Sequence, residues 1–457
     1  DWLGSVKVCI IKSDDIFQRD RSVIAPGQHL LYFPIVVDSV KDDIVIDCDG
    51  KSYIDFLSSA SSLNLGGSNP IVRNAIEEQL MKCVHYCTCY SLNMPMVEYA
   101  ERLISIYPGS IDASVFFTLS GSSASDMAFY LAKAYTKRKY IISFKGSYHG
   151  NTYASSNLSD MDGEEFPKMQ DVYHFKYYYE EDCIEKENYV DEIEEFFANG
   201  ISLDDVAAIF IEAVQGDGGL HCARRNFILQ LYCLCKKHGI LFICDEVQQG
   251  FFRSGYWFSI EHYGVVPDGI IMGKSLGAGF PLGAFIARKE IMQSLSSTVS
   301  ASTIGGYQLA CAAGIAQFDY MSQRSFRIML QDKSKLFFSL SKELISKKRC
   351  NLKLSLSGMG FSYGIHVFDQ KNNKDRFSAF KIAFRCYETG LLLISVSENV
   401  IRLQPPFSIS QENLVKGFEL LERAICDIES GYISDSMLYF YENRYPRTGK
   451  HCLGDFQ

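Results

Sequence analysis

A lysine flanked by glycines follows a short apolar run in the second half of the chain. The run covers residues 269–272 and leads into Gly273-Lys274-Ser275-Leu276-Gly277. Burial at the end of a strand lowers the pKa of a lysine amine and makes the amine a nucleophile that can form an imine with a carbonyl group. Most lysines in such turns are exposed surface residues, so Lys274 alone does not define a site.

Three other segments, each also following an apolar run, offer groups that complement this lysine. Residues 120–125 form a small-residue turn that opens a predicted helix, where free backbone N–H groups can bind a phosphate. Tyr148 offers an aromatic face, and Asp245 offers a carboxylate. Each feature is ambiguous alone. Together, a phosphate turn, an aromatic ring, an acid and a lysine fit one site for pyridoxal 5′-phosphate.

The apolar runs predict the strands that would position these groups. They cover residues 115–119, 140–144, 206–214, 240–244, 269–272 and 283–287. Such runs suit strands buried on both faces, which is typical of a mainly parallel sheet with crossover helices. Helices are predicted at residues 122–136 and 226–238, the second closed by Gly239. In open α/β sheets, ligands bind at the carboxyl ends of the strands.

The rest of the chain predicts a second, smaller unit. Residues 43–55 read as a hairpin around Asp49-Gly50, residues 352–368 and 391–402 as strands, and Ser410 as the start of a final helix. We therefore predict an α/β fold with a large domain and a smaller α+β domain built from both termini. The predicted units are residues 1–55 (N-terminal segment and part of the small domain), 56–324 (large cofactor-binding domain), 325–430 (C-terminal small domain) and 431–457 (tail).

Composition limits the classes of partner. The 457 residues carry a formal charge of −9, and long Lys/Arg runs are absent, which argues against nucleic acid. No run of 18 apolar residues predicts a membrane helix, and Asp1-Trp2-Leu3-Gly4 does not read as a secretion signal. Fifteen scattered cysteines read as reduced thiols. We expect a cytoplasmic enzyme that acts on a small molecule.

His85, Cys87 and Cys89 lie close together in the sequence and could be read as metal ligands. No second ligand pair follows at the spacing of a zinc site. Small buried side chains are the better interpretation, and we predict no metal.

Several long motifs resemble the class III aminotransferase family, whose members are fold type I enzymes that use pyridoxal 5′-phosphate. The resemblance covers residues 30–425, within which the chain is most similar to the branch of amino-acid racemases and isoleucine 2-epimerases. The matching segments are residues 120–125, 144–152, 212–219, 245–255, 267–283, 302–313 and 402–406.

The resemblance implies roles for the groups around the cofactor ring. Lys274 would bind the cofactor as an imine and, once the substrate replaces it, transfer the α-proton. Asp245 would pair with the pyridine nitrogen, Gln248 would hydrogen-bond the phenolic oxygen, and Tyr148 would stack on the ring.

It also implies how the phosphate and the substrate are bound. Gly121 and Ser122 would hold the phosphate, Glu212 would belong to the cofactor pocket, and Thr303 would reach the phosphate from the other subunit of a homodimer or a dimer of dimers. Arg402 would bind the substrate carboxylate.

Asp217 decides between two reactions. Most members of the family have Glu at this position. In the racemase branch the matching residue is an Asp, which is taken to act as a second base on the ring face opposite the lysine. Inversion needs such a base because one face loses the proton and the other regains it. Alternatively Asp217 pairs with Arg402 or fixes the turn at residues 215–219, and the enzyme transfers the amino group to a 2-oxo acid.

Two further expectations concern the substrate and the inactive alternative. Small and apolar residues at 32–35 and 58–62, and at 86–90 of the partner, predict a pocket for an aliphatic amino acid. An inactive cofactor-binding scaffold is the remaining alternative. Intact Lys274, Asp245, Gln248 and Arg402 argue against it.

Overall fold

The computed structural model describes residues 13–160, 168–182, 184–295 and 301–440. Helices α1 to α14 span Ser13–Val23, Ser58–Ser61, Pro70–Lys82, Met94–Ser105, Gly121–Thr136, Tyr153–Leu158, Asp191–Ala198, Arg225–His238, Lys289–Met292, Gln308–Met321, Arg324–Ser346, Arg376–Thr389, Gln411–Glu429 and Asp435–Tyr439. Strands β1 to β15 span Val37–Lys41, Ile44–Asp47, Ser52–Asp55, Ala113–Thr118, Tyr140–Phe144, Val172–Phe175, Val206–Ile211, Leu241–Asp245, Gly269–Met272, Gly283–Arg288, Leu352–Met359, Ser362–Asp369, Leu391–Leu392, Ile394–Val396 and Val400–Leu403. Among these residues, no helix is long and apolar enough to cross a membrane. The tetrapeptide Asp1-Trp2-Leu3-Gly4 and the last part of the predicted tail, residues 441–457, lie outside the described residues.

A seven-stranded sheet organises the large part of the molecule. Its order is β4-β10-β9-β8-β7-β5-β6. The strands from β9 to β6 in that order are parallel, and β10 runs antiparallel to both of its neighbours. Every residue of β7, β8 and β9 is buried, as expected for strands covered on both faces. The predicted α/β fold with a mainly parallel sheet is confirmed.

Helices cover both faces of this sheet. Helix α5 packs in a cluster with Phe210 and Ile243, whereas α8 packs in a cluster with Ile209 and Phe242. Because successive residues of a strand point to opposite faces, the two clusters lie on opposite sides of the sheet. The carboxyl ends of β5, β8 and β9 meet at one edge, and the segments that follow them carry the predicted ring-binding groups.

Two four-stranded sheets form the smaller part. One is antiparallel throughout, with the order β11-β12-β15-β14. The other has the order β1-β2-β3-β13, and β13 pairs in parallel with β3 so that Leu391 lies opposite Ile54. This second sheet joins the N-terminal and C-terminal parts of the chain, as the sequence predicts.

Some elements differ from the sequence prediction. The edge strand β6 is not predicted, because it is only four residues long and contains His174. Residues 391–402 form three strands in two sheets instead of one, with a turn at Ser397, whose φ is 53°. The helix that Ser410 caps is not the last, since α14 follows it and buries Met437 against Phe384.

Helix α2 is a single left-handed turn. All four of its residues have positive φ, from 49° at Ser58 to 66° at Ser61. The Oδ1 atom of Asp55 accepts hydrogen bonds from the backbone N–H groups of Leu57 and Ser58, at 2.7 and 2.9 Å. The Ser58 hydroxyl donates to the carbonyl of Gln404 at 2.6 Å. These contacts hold a backbone conformation that L-residues disfavour.

Candidate active site

Lys274 lies directly after β9, at the start of the short 3-10 helix Lys274–Gly277. Its Nζ atom donates a hydrogen bond to Oε1 of Gln248 at 3.0 Å. Burial lowers the pKa of this amine, and the carboxylate of Asp217 is the largest charge opposing that shift. An amine with a lowered pKa, hydrogen-bonded to an amide oxygen, is suited to nucleophilic attack.

Asp245 ends β8, the neighbour of β9, and is buried together with His149. Its Oδ2 atom lies 2.7 Å from Nδ1 of His149, and its Oδ1 atom accepts from the backbone N–H of Val247 at 2.9 Å. Burial lowers the pKa of His149, but the hydrogen bond and charge of Asp245 outweigh it and leave the pKa raised. The site therefore contains a buried carboxylate supported by an imidazole.

Glu212 ties two segments of the site together. Its two carboxylate oxygens accept hydrogen bonds from the backbone N–H groups of Tyr148 and Gly216, at 3.1 and 3.0 Å. Burial raises the pKa of Glu212 to about 7, although His149 lowers it. Glu212 thus fixes the backbone that carries Tyr148 and the turn that carries Asp217.

Gly121 and Ser122 form the first turn of α5, which Ser120 caps. The Ser122 hydroxyl donates to Oδ1 of Asn151 at 3.1 Å. A Cβ on Gly273 would lie 2.9 Å from the Gly121 backbone, so the segment leading to Lys274 passes against the helix N-terminus. The predicted phosphate turn and the lysine are therefore neighbours.

Arg402 and Asp217 form an ion pair. The Nη1 atom of Arg402 donates to Oδ1 of Asp217 at 2.6 Å. The Arg402 side chain is 3% exposed and that of Asp217 39% exposed, so the acid forms the accessible side of the pair. The Nε atom of Arg402 is buried and has no hydrogen-bond partner among the residues that the structure describes.

Gln248 connects the lysine to the small sheet. Its Nε2 atom donates to Oε1 of Gln404 at 3.1 Å, and Nε2 of Gln404 donates to the Ser362 hydroxyl at 2.8 Å. A Cβ on Gly216 would lie 2.2 Å from Oε1 of Gln248, so the Asp217 turn passes closely over this amide.

Thr303 lies in a different environment from the other predicted groups. It is exposed, and its carbonyl accepts hydrogen bonds from the Thr88 backbone N–H and hydroxyl, at 3.1 and 3.2 Å. Nothing within one chain tests its predicted contact with the phosphate of the other subunit, so that contact stays a prediction.

Two residues of this network escape the sequence analysis. His149 is not predicted from the sequence, because its contact with Asp245 joins the loop after β5 to the end of β8 across β7. Gln404 lies two residues after Arg402, and residues i and i+2 of a strand share a face. That spacing is a signal by which Gln404 could be found.

The residues present fit pyridoxal 5′-phosphate. The N–H groups of Gly121 and Ser122 open a helix and have no intrahelical partner, so they can bind a phosphate. A Cβ on Gly121 would lie 2.7 Å from Cγ1 of Val247, and only glycine lets the helix N-terminus lie this close to the loop after β8. Asp245 suits a protonated ring nitrogen, and the Lys274 amine suits an aldehyde.

Comparison with known proteins gives the same result. The family model for class III aminotransferases matches residues 24–425. The chain is 34% identical to a leucine/methionine racemase from Thermococcus litoralis over 450 residues, covering 94% of this chain and 99% of that one. It is 33% identical to an isoleucine 2-epimerase from Lentilactobacillus buchneri over 439 residues, covering 93% and 97%.

A solved structure supports the fold. A transaminase from the marine bacterium Virgibacillus superposes with a TM-score of 0.84 at 24% identity, covering 91% of this chain and 99% of that one. The match extends over both the central sheet and the smaller part. The chain therefore belongs to the class III aminotransferase family, whose members are enzymes that use pyridoxal 5′-phosphate.

Proposed function

We propose that this enzyme inverts the α-carbon of an aliphatic amino acid, by racemisation or 2-epimerisation. The observation that carries the proposal is that the turn carrying Asp217 and the Lys274 amine meet at Gln248. Its Oε1 atom accepts from Lys274 Nζ at 3.0 Å and would lie 2.2 Å from a Cβ on Gly216. Inversion needs two proton-transfer groups, one on each face of the α-carbon. The names of two similar relatives, a racemase and an epimerase, support this choice.

Lys274 and Asp217 divide the proton transfer in this proposal. Lys274, as the free amine, removes the α-proton from one face and becomes the ammonium, while Asp217, as the carboxyl form protonated from solvent, donates a proton to the other face and becomes the carboxylate. For the opposite enantiomer the Asp217 carboxylate removes the α-proton and the Lys274 ammonium donates. When bound, pyridoxal 5′-phosphate supplies an electron-withdrawing ring that stabilises negative charge at the α-carbon. Asp245, supported by His149, would pair with the ring nitrogen, and Tyr148 would cover the ring.

Arg402 changes partner when the substrate arrives. Its Nη1 atom donates a hydrogen bond to Asp217, while its buried Nε atom has no partner within the described parts of the chain. A substrate carboxylate can bind Arg402 through two parallel hydrogen bonds, which is the stronger arrangement. That exchange frees the Asp217 carboxylate, which is already partly exposed, to act on the α-carbon.

The residues predicted to contact the substrate side chain include Tyr32. Burial raises the pKa of Tyr32, and Tyr32 is near enough to the ion pair for the charge of Arg402 to lower this pKa and that of Asp217 to raise it. The adjacent Phe33 is buried. We propose that residues 32–35 contact the substrate side chain.

Transamination is the second candidate. The observation that favours it is the short Arg402–Asp217 contact of 2.6 Å, which is also what a purely structural ion pair would show. In that case Lys274 alone moves the proton, and the amino group passes to a 2-oxo acid.

A panel of single L-amino acids separates the two reactions. The holoenzyme is incubated with each amino acid without a 2-oxo acid, and the products are resolved by chiral chromatography. Appearance of the D- or allo-form supports inversion. If the amino acid disappears only when a 2-oxo acid is added, transamination is the activity and the inversion proposal is wrong.

We also propose that the enzyme is a homodimer, or a dimer of such dimers, in the cytoplasm. Exposed large apolar side chains are concentrated between residues 71 and 97, beside the segment that contacts Thr303, and such a concentration is typical of a protein interface. They are Ile71, Leu80, Met81, Val84, Tyr86, Tyr90, Leu92, Met94 and Val97. In the described part of the chain all cysteines are free, as expected in a reducing compartment.

A further inference from the structure

The turn that carries Asp217 is fixed at its base. Val214 and Cys222 form an antiparallel bridge, and the N–H of Gln215 donates to the carbonyl of His221 at 2.9 Å. The tip contains three glycines at positions 216, 218 and 219. Glycines provide no side chains to pack, so the position of the tip depends on contacts from outside the turn.

One such contact comes from the small sheet. The strand register places Ser357 opposite Gly364, and Gly364 opposite Arg402, so the three residues form one row across β11, β12 and β15. Directly opposite residues of antiparallel strands share a face. Ser357 and Arg402 therefore point to the same side of the sheet, where the turn lies.

Gly364 lets the turn approach the middle of this row. A Cβ on Gly364 would lie 3.1 Å from the carbonyl oxygen of Gly219 and 3.0 Å from the Ser357 hydroxyl. The Ser357 hydroxyl donates to the Gly219 carbonyl at 2.9 Å. Arg402 binds Asp217 at 2.6 Å in the same row, so the turn is held at two points by one row of the sheet.

His366 determines the direction of the Ser357 hydrogen bond. Its Nε2 atom lies 2.8 Å from the Ser357 hydroxyl, and both side chains are buried. A hydroxyl has one proton, which Ser357 donates to Gly219, so Nε2 of His366 must be the donor to Ser357. Burial keeps His366 neutral by lowering its pKa to about 3.

We propose that Ser357, oriented by His366, is a positioning residue for Asp217. When a substrate carboxylate takes Arg402 away from Asp217, the Ser357–Gly219 hydrogen bond is a polar contact between the small sheet and the tip of the turn that remains. It keeps the turn in place and Asp217 beside the α-carbon. This inference rests on the proposed role of Asp217 as the second base.

The test compares two outcomes of α-proton removal in D₂O. The holoenzyme is given a single enantiomer of its substrate, and inversion is measured beside deuterium uptake with retention. Ser357→Ala and His366→Phe should lower the kcat of inversion about 3- to 10-fold, the range expected for one hydrogen bond, with little change in KM. Exchange with retention, which needs only Lys274, should persist for the enantiomer whose α-proton faces the lysine.

Three variants make the result specific. His366→Gln keeps an N–H donor and should restore most of the inversion. Ser355→Ala is a matched control, since Ser355 is exposed on the same strand two residues away, and it should change neither rate. Adding Ser357→Ala to Asp217→Asn should not lower the rate of inversion further, because both changes act through the Asp217 carboxylate.

Failure of this inference is distinguishable from failure of the proposed function. If Asp217→Asn inverts its substrate as fast as the wild type, the second-base role is wrong. If Asp217→Asn loses inversion but Ser357→Ala leaves it unchanged, or lowers inversion and exchange equally, the positioning role is wrong.

Calorimetry gives a readout that does not depend on the reaction. The probe is 4-methylpentanoate, a carboxylate that competes with Asp217 for Arg402. Ser357→Ala removes the Ser357–Gly219 hydrogen bond, so the Asp217–Arg402 pair should weaken in this variant. The variant should therefore bind the probe about 2- to 5-fold more tightly than the wild type. Equal affinity in the two proteins would overturn the inference.

Discussion

The Nδ1 atom of His149 lies 2.7 Å from the Oδ2 atom of Asp245, and both side chains are buried. The contact joins the loop after β5 to the end of β8. A buried carboxylate that loses its hydrogen-bonding partner is strongly destabilised. The imidazole therefore stabilises a buried carboxylate, which in the proposed function would pair with the ring nitrogen of the cofactor.

His149→Phe should weaken cofactor binding. Loss of a hydrogen bond to a charged group is worth about 1.5–3 kcal/mol, which corresponds to roughly a 10- to 100-fold loss of affinity. Titration of the cofactor-free protein with pyridoxal 5′-phosphate, followed by absorbance, measures it. His149→Asn, which keeps a short polar side chain, is the matched control and should lose less affinity for the cofactor than His149→Phe. Wild-type affinity in His149→Phe would contradict this role.

The reactivity of Lys274 should depend on pH below the usual range for lysine. Burial lowers its pKa from the ordinary value of 10.5, and the neutral amine is the reactive form. The rate at which the cofactor-free protein reacts with pyridoxal 5′-phosphate should therefore rise with pH, with a midpoint below that value. Stopped-flow absorbance across a pH series measures this midpoint.

Two variants should move the midpoint in opposite directions. Asp217 raises the Lys274 pKa, so Asp217→Asn should lower the midpoint. Arg402 lowers the same pKa, so Arg402→Met should raise it. Shifts in the same direction for both variants would show that the two charges do not act on Lys274 as described.

His366 should make the protein less stable in mild acid. Burial lowers its pKa from 6.5 to about 3. Between these values the unfolded chain binds a proton that the native state does not, so the free energy of unfolding falls as pH decreases below 6.5, by up to about 1.4 kcal/mol per pH unit. Urea unfolding at several pH values should give a smaller decline for His366→Gln.

Ser59→Gly should stabilise the protein. Ser59 is exposed and has φ 50°, ψ 50° in the left-handed turn α2. Glycine adopts this conformation without the cost that L-residues incur, and its greater entropy in the unfolded chain offsets part of the gain. We expect a net gain of about 0.5–1 kcal/mol. Thermal unfolding measures the change in stability. Ser62→Gly is the control, because Ser62 has φ −86° and glycine there should destabilise the protein.

The central sheet is predictable because its strands are buried on both faces. A four-residue apolar run such as β9 is short for a helix and suits a strand buried on both faces, and the predicted and observed bounds of that strand agree. Prediction is poorer where pairing depends on distant residues. Strand β13 has only two residues, and its partner β3 lies more than 300 residues earlier in the chain.

The candidate site also contains some residues that the sequence predicts and some contacts that it does not. Lys274 and Asp245 can be found because each directly follows a buried run. The contact of His149 with Asp245 crosses an intervening strand, and the contact of Ser357 with Gly219 depends on the register of the small sheet. Local sequence patterns do not contain either relationship.

The pairing of β3 with β13 has a consequence for synthesis. The last strand of that sheet follows the third by more than 300 residues, so at 5–20 residues per second the ribosome needs roughly 20–70 s to supply it. During this time one edge of β3 has no strand partner, although its Tyr53, Ile54 and Asp55 are buried in the finished protein. Such an edge can pair with other chains. The nascent protein is therefore prone to aggregation at this edge until β13, at Leu391–Leu392, emerges, and a chaperone that covers the edge would increase the yield of folded protein.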